Sequence, residues 1–349
     1  MGQNKTVISI EKDAFLIDGL PTYPDRRFND MKIEGLLMNA RLVQGIFDDG
    51  NLETRSRWDY PDGPWDPERN TTEFIEMMPE WRSSGMVSFT INLQGGSPEG
   101  YSKIQPWNNA AFTPDGIPDS AYLDRLGRIL DKADELGMAP ILGLFYFGQD
   151  RRLRDERAII CAVEAITDWV IDRGDRHVVI EIANEVDVGL YSHDIIKAHR
   201  CHELIELVQV KSHGKLNTPA GRLLVSTSMR GGTQPPDPIV RIADFILLHG
   251  NSVNDPNRIR EMMRICRANP CYKGQPIVFN EDDHFEFDAG DNNMLAAIGG
   301  YAGWGFFDYR MSGETFNDGY QSVPVNWSIS SDRKRGFFDL LGKITGAQD

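Results

Sequence analysis

No stretch of this chain approaches the ~18 to 20 consecutive apolar residues needed to cross a membrane, so no membrane contact is expected. Cysteine is scarce: Cys161, Cys201, Cys266 and Cys271 are too few in 349 residues for a disulfide scaffold and lack the paired spacing of a zinc site. Cys161 and Cys201 fall in helical patterns as buried thiols; for Cys266 and Cys271 a pairing across a helix end is left open. Basic residues are in deficit, 37 against 52 acidic for a net charge of −15, which argues against nucleic acid and for a neutral substrate. A glycine-rich phosphate loop is also missing. Gly95-Gly96 and Gly231-Gly232 have neither the spaced third glycine nor the lysine, so a nucleotide fold and its cofactors are not expected. The start, MGQNKTVISIEKD, lacks the basic and apolar regions of a secretory signal, which leaves the cytoplasm as the default location.

What is present is ordinary globular composition, 40% hydrophobic, 26% charged and 10% aromatic, with no linker, low-complexity tract or longer internal repeat. The chain therefore reads as one domain over 1–349. Val7 to Tyr23 alternates apolar and polar residues around Lys12-Asp13 and Asp18-Gly19, which predicts an N-terminal β-hairpin covering one end of the domain. After it come eight strand-like runs: Ala40 to Asp49, Met86 to Gly96, Ala139 to Gly148, His177 to Asp187, Arg222 to Met229, Asp244 to Asn251, Pro276 to Asp283 and Gly303 to Arg310. Between and after them lie helical patterns at Thr71 to Ser84, Asp119 to Leu136, Asp155 to Gly174, Asp194 to Lys211, Pro238 to Ala243, Asp255 to Ala268, Asn293 to Ala302 and Asp332 to Ile344. Strict βα alternation with wholly apolar strands predicts a parallel sheet covered by helices, and eight repeats favour a closed (β/α)8 barrel, the TIM barrel, over an open sheet.

In such a barrel the chemistry sits at the C-terminal strand ends, where the following loops converge. Two of those ends carry the same polar pair, Asn184-Glu185 and Asn280-Glu281. Strands three apart in an eight-membered ring face each other across the mouth, which is the arrangement two carboxyls need for glycoside hydrolysis. A lone strand-end glutamate is as readily a helix cap or an arginine partner; the paired occurrence is what favours catalysis. Glu181, an even number of residues before Glu185, points inward below the site and reads as part of a buried polar network.

Glu181-Ile182-Ala183-Asn184-Glu185 resembles the fourth-strand motif E-x-x-N-E of the family 5, cellulase-like, glycoside hydrolases of clan A, and Val278-Phe279-Asn280-Glu281 resembles their seventh-strand nucleophile. That resemblance implies a retaining, double-displacement β-glycosidase acting on an oligosaccharide or polysaccharide, with Glu185 as acid/base, Glu281 as nucleophile and Asn184 as donor to the sugar 2-hydroxyl. It implies no metal and no cofactor.

Other positions depart from the family pattern. The second strand, Val87 to Gln94, carries no arginine to hold the nucleophile, and Arg41 or Arg310 are the candidates to replace it. Phe145-Tyr146-Phe147 stands where the third strand commonly ends in histidine. His249 matches on the sixth strand, as a neutral hydrogen-bonding imidazole, but the tyrosine two residues on is Asn251. Trp304 lies at the start of the eighth strand, with Phe307 and Tyr309 near its end. The expected binding shell is thus Asn184, His249, Asn92, Tyr146, Arg41, Phe307 and Tyr309. Trp58, Trp65, Trp107 and Trp327 lie in polar loops where an indole commonly anchors the loop; because sugar faces are apolar, one of them, Trp107, is expected to stack on substrate. Asp48-Asp49 and Asp282-Asp283 lack the spacing of a calcium loop. Long loops after the first two strands and the eighth favour a bounded pocket over an open groove. Two rival readings stand beside this one: a metal-dependent hydrolase using His249, Glu281, Asp282 and His284, and a carbohydrate-binding barrel without turnover.

Overall fold

The computed structural model describes residues 6–102 and 104–348. Eight short strands form the barrel: β1 (Asn39–Ala40), β2 (Thr90–Asn92), β3 (Ile141–Phe145), β4 (Val179–Ala183), β5 (Leu224–Ser226), β6 (Ile246–His249), β7 (Ile277–Asp282) and β8 (Gly303–Phe306). Each is followed by a helix: α1 (Pro67–Ser83), α2 (Ser120–Leu136), α3 (Glu156–Arg173), α4 (Cys201–Ser212), α5 (Asp237–Ile242), α6 (Pro256–Ala268), α7 (Asn293–Gly299) and α8 (Asp332–Thr345). All strand pairs in the ring are parallel, in two arcs ordered β5-β4-β3-β2 and β6-β7-β8-β1. Single parallel bridges join the arcs, Arg41 to Thr90 and Ser228 to Leu247, so pairing runs right round the ring. The alternation predicted this architecture. The strands are shorter than the apolar runs suggested because several runs leave the sheet early. Most of the expected first strand, from Leu42 onward, is turn and irregular backbone.

Helix starts follow local chemistry. Asp66, Asp119, Asp155 and Asp255 cap α1, α2, α3 and α6, each carboxylate accepting from free amides of the first turn. Proline at the first position of α1 and α6 lacks the amide that would otherwise go unpaired. The pattern at 194–211 divides into a 3-10 turn, Asp194–Ile196, and α4.

The N-terminal hairpin forms from Ile8–Glu11 and Ala14–Ile17 and gains a third strand, Leu20–Pro21. It plugs the bottom of the barrel. Phe15 meets Phe245 edge-on at 5.8 Å, and both pack with Ile8, Leu37, Val179, Leu247 and Val278 in one buried apolar layer. A far larger apolar cluster fills the space between strands and helices. All four cysteines are free thiols, so the pairing left open for Cys266 and Cys271 is not made. Among the described residues no helix is long and apolar enough to cross a membrane.

Candidate active site

Along five strands the inward side chain two residues above the apolar layer is polar: Asn39 above Leu37, Glu181 above Val179, Ser226 above Leu224, His249 above Leu247 and Asn280 above Val278. All five are buried. Strand period 2 makes this stacking inevitable once the lower layer faces in. The mouth is built on that polar layer.

Glu185 follows β4 in the left-handed region, φ 53°, a strained conformation for a residue with a side chain. Its amide donates to Ser228 Oγ at 3.1 Å, and the Val186 amide to Ser228 O at 3.1 Å, which ties the turn to the end of β5. Glu281 reaches the mouth by a different device. Leu248 pairs with Phe279 but His249 pairs with Glu281, and the spacing against β8 slips by one as well, so β7 holds one extra residue there. The bulge lets successive side chains both face inward: Asn280 Nδ2 lies 3.5 Å from Glu181 Oε2, while Glu281 meets Arg41 and Asn251. Gly305 on β8 permits it, since a Cβ there would sit 2.9 Å from the Asn280 carbonyl and 2.3 Å from Asn39 Oδ1.

The two glutamates converge on His249. Its Nδ1 is 3.1 Å from Glu185 Oε1 and 3.7 Å from Glu281 Oε2, and one oxygen of each carboxylate lies within 4.8 Å of the other. Their surroundings differ. Glu281, with 5% of its side chain exposed, forms an ion pair with Arg41 Nη1 at 2.9 Å and accepts a hydrogen bond from Asn251 Nδ2 at 2.5 Å. Glu185, 14% exposed, has His249 as its side-chain partner.

Burial opposes the charge on Arg41, yet the carboxylates of Glu281 and Glu181 outweigh it and raise its pKa. For His249, too, burial works against protonation, and Glu281 and Glu185 overcome it, lifting the imidazole above 6.5. The expectation of a neutral imidazole meets an opposing influence here, since Glu281, Glu185 and Glu181 surround His249 and pull it toward its protonated form. Burial raises the Glu181 carboxyl, and Arg41 and His249 moderate the effect. The Tyr146 phenol is pushed up by burial, with Arg41, Glu281 and Glu185 all close enough to act on it.

The sequence-predicted residues divide into three groups. Glu185, Glu281, His249, Arg41 and Tyr146 share one electrostatic cluster. Phe307 joins it, its ring 5.9 Å from the Arg41 guanidinium carbon, and Tyr309 stands 5.6 Å from Phe307. Asn92 and Asn184 are buried strand-end amides; both amide atoms of Asn92 and Oδ1 of Asn184 have no partner among the described residues. Trp107 is placed otherwise than expected. It is fully buried and edge-on to Trp58 at 5.6 Å, so its faces are covered. The indoles of Trp58, Trp65 and Trp327 donate to Asp49, Asp48 and Asn70, as loop anchors do. Arg310 binds the carbonyls of Thr315, Ser322 and Pro324, which leaves Glu281 to Arg41.

Two contributors escaped sequence reasoning. Asn251, noted only as a departure, supplies Glu281 with a hydrogen-bond donor. Tyr101, from the loop after β2, packs edge-on against Phe307 at 5.5 Å and Tyr309 at 4.9 Å and donates to Asp283 Oδ2 at 3.0 Å. Neither has a local sequence signal, because loop length and composition do not tell where a loop lands.

The four residues of the metal-hydrolase alternative do not converge. His249 and Glu281 group with Glu185, whereas Asp282 and His284 group with Asp283. Asp282 is turned away, accepting from Trp304 Nε1 at 3.0 Å and Asn293 Nδ2 at 3.1 Å.

No protein-family description and no curated protein matches this chain. Solved structures do match in fold. A glycoside hydrolase family 5 protein from Bacteroides vulgatus aligns over 96% of this chain and 70% of its own, at 11% identity and a TM-score of 0.54. The endo-1,4-β-mannanase of Rhizomucor miehei aligns over 98% of both chains at 11% identity and a TM-score of 0.57. A broad specificity endoglucanase from Bacteroides salanitronis aligns over 89% of this chain and 93% of its own, at 12% identity and a TM-score of 0.56. Another Bacteroides vulgatus structure is longer, and this chain spans 60% of it. The fold is that of the TIM-barrel glycoside hydrolases, family 5 included.

Proposed function

We propose that this chain is a single catalytic barrel that hydrolyses a β-glycosidic bond with retention of configuration. The observation that carries the reading is the pair of unequally supported carboxylates whose oxygens approach within 4.8 Å. Retaining enzymes hold their carboxyls ~5 to 5.5 Å apart, whereas inverting enzymes leave ~6.5 to 9.5 Å for a water. The separation suits the first class.

Glu281 is the nucleophile. Arg41 and Asn251 fix its carboxylate from two sides, and its burial excludes water that would blunt attack. Glu185 is the acid/base, standing more open on the opposite strand with His249 as its partner. In the first step a Glu281 oxygen bonds to the anomeric carbon, the glycosidic bond breaks, and Glu185 gives its proton to the departing oxygen. In the second, Glu185 takes a proton from water, the water oxygen bonds to the anomeric carbon, and Glu281 leaves as carboxylate. Two inversions give net retention. The unpartnered amide atoms of Asn184 and Asn92 are acceptors and donors that sugar hydroxyls can satisfy.

A screen of aryl β-glycosides and polysaccharides, with the first-formed anomer read by NMR, tests the assignment. The β anomer is expected, and Glu281→Ala and Glu185→Ala each abolish turnover while the fold is retained. Near-wild-type activity in either variant, or an α product, defeats it. Activity that survives exhaustive chelation excludes the metal alternative.

A further inference from the structure

The loop after β2 does more than border the site. Its base is fastened to the loop after β8: Gln321 Nε2 donates to Ser97 O at 3.1 Å and the Val323 amide to Pro98 O at 2.8 Å. Gly100, at φ +90°, lies so close that a Cβ would sit 2.8 Å from the Tyr309 ring. From this anchored base Tyr101 extends over Phe307 and Tyr309, and its hydroxyl reaches Asp283, two residues past the nucleophile. Asp283 in turn accepts from the Ser252 amide of the loop after β6 at 3.3 Å. One carboxylate thus clasps loops from β2, β6 and β7 over the β8 side of the mouth.

Position in the ring gives the clasp its meaning. In an eight-stranded barrel β8 stands opposite β4, so Tyr101 lies across the mouth from Glu185. The acid/base must stand beside the leaving group, and the nucleophile beneath the anomeric carbon. A bound sugar therefore directs its aglycone toward Glu185 and its far, non-reducing side toward Tyr101. The exposures agree: the side chain of Glu281, on the clasped side, is 5% exposed, and that of Glu185 is 14%. Tyr101 itself is 52% exposed.

From this we infer that the Tyr101–Asp283 clasp closes the glycone end of the cleft, so that the enzyme accepts one sugar ring there and acts from the non-reducing chain end, releasing monosaccharides. The inference rests on the glycosidase reading and adds to it the mode of attack and its determinant. Tyr101 is the specificity-determining residue, acting as a wall against a second ring.

The test compares paired reporters on the full chain: 4-nitrophenyl β-glucoside, β-mannoside and β-galactoside against the 4-nitrophenyl β-1,4-linked disaccharides of the same sugars. Direct nitrophenol release from a disaccharide reporter needs room for two rings on the glycone side. Wild type should prefer the monosaccharide reporter by at least about tenfold in kcat/KM, and Tyr101→Ala should lower that preference by about tenfold, through the KM for the disaccharide. Tyr101→Phe, which keeps the ring and loses the bond to Asp283, should fall between. A wild type that cleaves the disaccharide reporter as well as the monosaccharide one overturns the inference, as does an unchanged ratio in a folded Tyr101→Ala. These failures differ from failure of the glycosidase reading, in which no reporter is turned over faster by wild type than by Glu281→Ala.

Discussion

The floor and the mouth of this barrel are made by the same strands and obey opposite rules. At the floor, Leu37, Val179, Leu247 and Val278 pack with Phe15 and Phe245 and leave no polar atom to satisfy. Two residues higher, the same strands present Asn39, Glu181, His249 and Asn280, and buried atoms such as Asn39 Oδ1, Glu181 Oε1 and His249 Nε2 have no partner among the described residues. Burying unpaired polar groups costs stability, about 1 to 3 kcal/mol each when nothing compensates. Under the proposed glycosidase function, substrate hydroxyls and a developing charge are the partners that would satisfy them. Stability and function are thus stacked on one strand set, one residue pair apart.

The largest expected break in this contrast is at Arg41. Replacing it by methionine removes the cation beside Glu281, and kcat should fall on the order of 10²- to 10³-fold with KM changed far less. A loss under about fivefold would place Arg41 with the scaffold instead. Phe245→Ala tests the other layer: a cavity beneath the barrel should cost ~3 to 5 kcal/mol and lower Tm, while kcat at 20 °C stays within about twofold. If kcat fell in step with Tm, the two layers would not be separable.

The smallest effect concerns Glu181. Burial raises its carboxyl above the usual 4.5, so the folded chain keeps a proton that the unfolded chain releases. Stability therefore falls as pH rises above 4.5, until the folded carboxyl itself titrates. Glu181→Gln escapes this loss. Its Tm should match wild type near pH 4.5 and exceed it by roughly 2 °C at pH 8, by calorimetry. An advantage that shrinks with rising pH would show that Arg41 and His249 hold Glu181 ionised.

How far the site was legible depends on whether the signal was local. Asn184-Glu185 and Asn280-Glu281 were readable because an apolar run ending in a polar pair is a property of consecutive residues. Arg41 appeared only as one of two candidates, since nothing local separates it from Arg310; the choice is made where β1 pairs with β8, the neighbour of β7, and places the guanidinium 2.9 Å from Glu281. His249 was found, but the pull of its neighbours toward protonation was not legible, because it depends on how many carboxylates surround the ring in space. Trp107 was misplaced for the same reason: an indole in a polar loop gives no indication of which side it covers.

The sequence by itself determined the βα alternation, the count of eight, the hairpin at one end and the two glutamates at opposed strand ends, since these follow from side-chain period and order along the chain. Tertiary structure alone decided that a bulge in β7 turns Asn280 and Glu281 inward together, that Asn251 and Arg41 share Glu281, and that Tyr101 crosses to Asp283. Each of these joins residues from 30 to 240 positions apart. Contacts at that range are set by ring closure and loop packing, which no local pattern encodes.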